Sequence, residues 1–135
     1  MSDVAVEARW EGGLRFEAVG KAGTPVALDG DGDAGMTPVE ALAVALGTCM
    51  AADVVEILTR MRVPLEALTV GVEGDRRADP PRRYTAIRLV YRPRGVPEAD
   101  RDRLDRAVEL SRQKYCSVLH TLSTDLELSI RIETG

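Results

Sequence analysis

Apolar and polar residues alternate in two short runs at the start of the chain. Val4, Val6, Ala8 and Trp10 stand against Ala5, Glu7 and Arg9, and Leu14, Phe16 and Ala18 stand against Arg15 and Glu17. Gly12 and Gly13 separate the runs. Two period-two runs about a Gly-Gly pair predict a β-hairpin. Residues 25–29 (PVALD) predict a third strand that completes a meander. The period then changes. After a loop of turn formers (29–36, DGDGDAGM), Thr37 offers a helix cap, Pro38 suits the first helical position, and Glu40 stands three residues after the cap. From there to Arg62 the chain is rich in Ala and Leu, apolar almost all round in its first half and amphipathic in its second. Such a helix, about 25 residues and nearly 40 Å long, is buried on most of its faces. Gly47 is a candidate bend, and Pro64 blocks continuation.

Two further alternating runs follow, at 65–77 and 82–93, joined by the turn-forming ADPP. In the second, Thr85, Ile87, Leu89 and Tyr91 oppose Tyr84, Ala86 and Arg88. The pair predicts a long hairpin. Pro97 opens a second helix over 98–114, with Leu104, Ala107, Val108 and Ser111 on one face and charges on the other. Tyr115-Cys116 interrupts that charge pattern, SVLHTLS predicts a short helical turn, and 126–133 predicts a closing strand. The order βββ-α-ββ-α-β is α+β with mostly antiparallel pairing. No linker, repeat or low-complexity segment divides it, so residues 1–135 are expected to form a single domain.

Composition narrows the function classes. A chain of 135 residues can bury about two-thirds of its unfolded surface and needs no disulfide or metal staple. Aromatic residues are only 4%, which argues against stacking platforms for single-stranded nucleic acid. The net charge of -4 argues against a phosphate-binding face. Nucleic-acid partners are therefore not expected. No apolar run is read as approaching the ~20 residues of a membrane span, and the acidic, alternating N-terminus is unlike a signal peptide. The expected setting is cytoplasmic, without a membrane partner.

Two cysteines remain, and nothing in the composition requires them. Cys49 lies in the most apolar helix, where a free cysteine commonly packs as a small hydrophobe. Asp53, one turn later, disfavours a thiolate there. Cys116 precedes the short helical turn, and a helix N-terminus offers N–H groups that lower a thiol pKa. His120 follows four residues on, so a continuous helix would set it beside Cys116, either as a proton-sharing partner or as a residue that caps the turn. Two Cys and one His lack zinc-ligand spacing. Asp29, Asp31, Asp33 and Glu40 fall at positions 1, 3, 5 and 12 of a calcium-loop pattern, but Ala34 occupies the obligatory glycine position and Glu40 is explained by the cap. Arg76, Arg77, Arg82 and Arg83 flank the hairpin tip, diluted by Asp75 and Asp79.

Together, GMTPVEALAVALGTCMAADVVEIL and KYCSVLHTL resemble the OsmC/Ohr family of osmotically inducible and organic hydroperoxide resistance proteins. The shared pattern is a small-residue loop, a Thr-Pro helix start, an Ala/Leu-rich helix carrying one cysteine, and a second cysteine in a C-[PS]-[VY]-S-like segment. The resemblance covers essentially the whole chain. It implies antiparallel sheets around a long central helix and an intertwined homodimer, which would give the apolar helix a partner. It also implies thiol-dependent reduction of organic hydroperoxides. Cys49 would attack the O–O bond as a thiolate, Cys116 would capture the sulfenic acid as a disulfide, and an external dithiol would reduce it. No metal or other cofactor is implied.

The supporting residues depart from the family pattern. Where that pattern has a glutamate directly after the helix-starting proline, this chain has Val39, with Glu40 one place on and ~100° around the helix. Arg15 is the nearest candidate for the upstream arginine that pairs with that glutamate. The second motif reads CSVLH. An alternative reading follows from these departures: a non-catalytic dimeric binding module for an apolar or lipid-like molecule, lined by the cysteines.

Overall fold

The glycine pair turns the chain where its alternation predicts. In the computed structural model, which describes residues 2–134 and leaves Met1 and Gly135 outside the described residues, β1 (Glu7–Gly12) pairs antiparallel with β2 (Arg15–Val19). Gly12 and Gly13 take φ of +103° and +57°, left-handed backbone that any Cβ penalises. β3 (Val26–Asp29) adds to β2 and completes the meander, in the order β1-β2-β3. Strand β1 begins at Glu7, so Val4 and Val6 precede it. On the apolar side of this hairpin Trp10 is 66% exposed, and Val4, Val6, Leu14 and Phe16 are exposed with it.

The loop after β3 is organised by a buried aspartate. Asp29 accepts the backbone N–H groups of Asp31 and Ala34, each at 2.9 Å. The Ala34 N–H, then that of Asp31, holds its carboxyl below the ordinary carboxylate range. Gly35 passes so close to β3 that a Cβ would lie 2.5 Å from the Ala27 carbonyl oxygen. Helix α1 (Pro38–Arg60) opens on the capping box read from the sequence: Thr37 N–H donates to Glu40 Oε1 at 2.9 Å, and Glu40 N–H donates to Thr37 Oγ1 at 3.1 Å. The helix ends in a Schellman closure, with Val63 N–H on the Leu58 carbonyl and Arg62 N–H on that of Thr59. Arg62 takes the left-handed position at φ +59°, and Pro64 follows.

The chain divides into two compact units, one running to Leu42 and one from Ala43. The second is built on β4 (Ala67–Arg76), β5 (Tyr84–Arg94) and β6 (Glu127–Ile132), with β5 central. β4 and β5 form the long antiparallel hairpin. β6 runs parallel to β5, a departure from wholly antiparallel sheets. A helical crossover joins these strands, and such a connection permits parallel pairing where a tight turn does not. Leu46, Met50, Val54 and Leu58, spaced four apart on α1, pack with Ile87, Leu89 and Tyr91 of β5. Leu104, Ala107 and Val108 of α2 (Arg101–Leu110) and Cys116 complete this core.

Gly47 lies within the uninterrupted α1 and packs closely, because a Cβ there would lie 2.6 Å from Val72 Cγ2 on β4. Length and composition also qualify α1 as a membrane-span candidate, at a mean hydropathy of 1.9 over 18 residues. The absence of any such run is thereby corrected. Charges are confined mainly to the ends of α1, while Leu46, Met50, Val54 and Leu58 serve as core.

Candidate functional site: two neighbouring cysteines

The stretch expected to be one helix over 98–114 is three pieces. A 3-10 turn (Glu98–Asp100) leads into α2, and a π turn (Ser111–Tyr115) leads out of it. The π turn decides what faces the core. Leu104, Ala107, Val108 and Ser111 form the buried stripe, and a regular helix would next place residue 115 on it. The wider turn, closed by Cys116 N–H on the Ser111 carbonyl at 2.9 Å, takes up one extra residue. Tyr115 is therefore 50% exposed and Cys116 is fully buried.

Cys116 lies near Cys49 there. The thiols, 67 positions apart in sequence, are both free, and they lie near enough for Cys49 to perturb the titration of the Cys116 thiol. Cys49 is partly exposed. Cys116 also caps α3 (Ser117–Thr121), its sulfur accepting the Leu119 N–H at 3.4 Å. That contact is the helix-terminus effect anticipated from the sequence, yet it loses. Burial pushes the Cys116 thiol up to about 11, and the hydrogen bond and charge of Cys49, with the charge of Asp53, add to the rise against the Leu119 N–H. Losing water outweighs one weak N–H···S contact. The expected acidic thiol at Cys116 is corrected to a protonated one.

His120 is not a proton-sharing partner of Cys116. Its Nδ1 lies 2.7 Å from the Cys116 carbonyl oxygen and its Nε2 3.1 Å from that of Gln113. Both ring nitrogens are thus directed at backbone, and the imidazole clasps the π turn to α3. Among the described residues no group of three His, Cys, Asp or Glu side chains converges as a metal site.

Two groups beside the thiols, Ser111 and Tyr91, were not linked to them by sequence. Ser111 is fully buried, and its hydroxyl donates to Asp53 Oδ2 at 2.8 Å, with the Met50 carbonyl oxygen 3.3 Å away. Tyr91 is fully buried, and its hydroxyl has no hydrogen-bond partner among the described residues. Burial raises the Tyr91 pKa, and the nearby Cys116 and Asp53 add to the effect. The available signal was Ser111 itself, one polar residue on an otherwise apolar helix face.

The remaining candidates have local work. Glu40 belongs to the capping box. Arg15 donates to the Glu11 carbonyl at 3.1 Å within the N-terminal hairpin. Of the arginines at the β4–β5 tip, Arg76 donates to the Arg82 carbonyl, Arg82 to that of Arg77, and Arg83 pairs with Asp125. A cavity of about 460 Å³ opens beside Asp53, between Glu56, Ile57, Arg60 and Met61 of α1 and its C-terminal turn and Leu110 and Tyr115 across from them.

The sequence profile of the family described as OsmC-like protein matches residues 30–131. The Escherichia coli (strain K12) protein YhfA is 37% identical over 111 residues, which is 82% of each chain. A hypothetical protein of Aquifex aeolicus VF5 superposes with a TM-score of 0.84 at 30% identity, covering 100% of this chain and 99% of that one. The organic hydroperoxide resistance protein OhrB of Bacillus subtilis shares the fold at 12% identity, with a TM-score of 0.66 and 98% of each chain covered.

Proposed function

Because the chain belongs to the OsmC-like family, we propose that it is a thiol-dependent peroxidase for organic hydroperoxides, working through Cys49 and Cys116. The observation that carries this reading is the proximity of two free thiols of unequal access. Cys49, partly exposed, is the thiolate that attacks the terminal peroxide oxygen. The O–O bond breaks, the alcohol leaves with a proton, and Cys49 becomes a sulfenic acid. Cys116, sheltered and protonated, is spared direct oxidation and condenses with that sulfenic acid. An S–S bond forms, the S–O bond breaks, and the thiol proton leaves with hydroxide as water. An external dithiol then restores both thiols. Such chemistry suits a reducing compartment, and we place it in the cytoplasm.

The same reading takes the protein as a homodimer. Leu42, Val44 and Val55 of α1 stand exposed, apolar side chains that a second copy would cover.

The test is intact mass and free-thiol count after one equivalent of an alkyl hydroperoxide. Loss of two hydrogens and of both thiols supports the reading, and two untouched thiols would sink it. Cys49→Ser should abolish peroxide consumption, whereas Cys116→Ser should leave a trappable sulfenic acid at Cys49. The cavity beside Asp53, with Ile57, Met61, Leu110 and Tyr115 among its lining residues, favours a second reading as a binding module for an apolar molecule. Saturable binding of an apolar fluorophore by a protein whose thiols ignore peroxide would establish that reading instead.

A further inference from the structure

Ser111 joins the two cysteine-bearing segments. Its carbonyl accepts the N–H of Cys116 at 2.9 Å and closes the π turn. Its hydroxyl reaches across to α1, donating to Asp53 Oδ2 at 2.8 Å with the Met50 carbonyl oxygen at 3.3 Å. Met50 directly follows Cys49, and Asp53 lies one turn beyond it. One buried residue thus ties the stretch that carries Cys49 to the turn that aims Cys116. A buried hydroxyl needs an acceptor, and the shorter and charged one of its two is Asp53, so the register of the turn leans chiefly on that bond. A regular helix through 111–116 would rotate position 116 by ~100° off the buried stripe.

We infer that Ser111, latched by Asp53, is a positioning residue for Cys116: it holds the second thiol in register with Cys49 and so governs disulfide formation, not attack on peroxide. This rests on the disulfide chemistry proposed above. The step it controls is the condensation of the Cys49 sulfenic acid with the Cys116 thiol, in which S–S forms, S–O breaks, and the proton from Cys116 leaves in water. Positioning errors near 1 Å cost such steps up to about a hundredfold.

The experiment follows one turnover in the full-length protein with one equivalent of cumene hydroperoxide, reading the Cys49 sulfenic acid with a dimedone-type trap and the disulfide by mass. In Ser111→Ala the sulfenic acid should form within about twofold of the wild-type rate, while its conversion to disulfide slows at least tenfold. The equilibrium of the pair against a glutathione buffer should shift tenfold toward the dithiol, about 30 mV. Asp53→Asn keeps a carbonyl acceptor for Ser111 and should retain the wild-type conversion rate, whereas Asp53→Ala should match Ser111→Ala. That contrast separates the hydrogen-bonded latch from loss of charge, and circular dichroism of each variant separates it from unfolding. Wild-type-like conversion in Ser111→Ala, or equal slowing in Asp53→Asn and Asp53→Ala, overturns the inference and leaves the peroxidase reading intact. Wild-type protein that forms neither species overturns that reading instead.

Discussion

Replacing Gly47 by alanine isolates how α1 is seated on its sheet. In a helix interior the change is favourable by about 1 kcal/mol, because glycine loses more backbone entropy on folding. Here the new Cβ would lie 2.6 Å from Val72 Cγ2, 0.8 Å inside the 3.4 Å at which ordinary contact begins. Valine is held near one rotamer by its branched Cβ, so α1 or β4 must move, at a cost of about 2 kcal/mol for overpacking. The net expectation for Gly47→Ala is a loss of about 1 kcal/mol. In a Val72→Ala background the offending methyl is gone, and the next neighbour, Val70 Cγ1, stands at an acceptable 3.6 Å. There the same substitution should stabilise by about 1 kcal/mol. The sign reversal corresponds to a coupling of about 2 kcal/mol, well above the error of a double-mutant cycle. Urea denaturation at one fixed protein concentration reads all four proteins. A stabilising Gly47→Ala in the wild-type background, or an equal loss in both, would refute the packing argument.

Arg62→Gly should raise stability by about 0.5–1 kcal/mol in the same assay, since arginine holds the left-handed C-terminal position at φ +59° where glycine carries no Cβ penalty; an unchanged or lowered midpoint contradicts this. Tyr91→Phe removes a buried hydroxyl that lacks a partner among the described residues and should stabilise by about 1 kcal/mol, whereas a loss of that size would reveal a partner. Reduced wild-type protein should lose stability at alkaline pH. The Cys116 thiol, raised from an ordinary 9.0 to about 11 when folded, stays protonated where the unfolded chain has released its proton. The native state then binds more protons, and stability falls from about pH 9 to about pH 11 by at most about 3 kcal/mol, two pH units at about 1.4 kcal/mol each. Cys116→Ala should flatten that slope in chemical denaturation curves, and a slope as steep as wild type argues against Cys116 as its source.

The strands, the capping box and the buried stripe of α2 were legible because each is set by spacing within a few residues. Thr37 and Glu40 need only their three-residue separation, and Leu104, Ala107, Val108 and Ser111 need only the helical period. The π turn was not legible, because one extra residue per turn leaves no mark in a run of charged side chains. Its consequence, Cys116 inward and Tyr115 outward, is therefore a tertiary result. The exposure of Trp10 and Val6 escaped for another reason: alternation shows which residues share a face, not what covers it. For Cys116 the sequence correctly supplied the N–H donor of α3, but the opposing desolvation depends on how fully the core closes over the sulfur.

The division of labour proposed for the two thiols has its physical origin in that closure. If residues 111–116 continued as regular helix, Tyr115 would enter the core and the thiol would move to the adjacent face, in the charged surroundings of Arg112 and Lys114. Both cysteines would then be open to an oxidant, and neither would be reserved for the other. The π turn, held by Ser111 on one side and clasped by His120 on the other, buries one sulfur while α1 leaves its partner partly exposed. Burial keeps Cys116 protonated and hence slow toward peroxide. Its proximity to Cys49 would give it a high local concentration toward a sulfenic acid formed there. On the proposed mechanism the same burial would suppress reaction with peroxide and favour capture of the oxidised partner, an asymmetry that the isolated thiol groups would not possess.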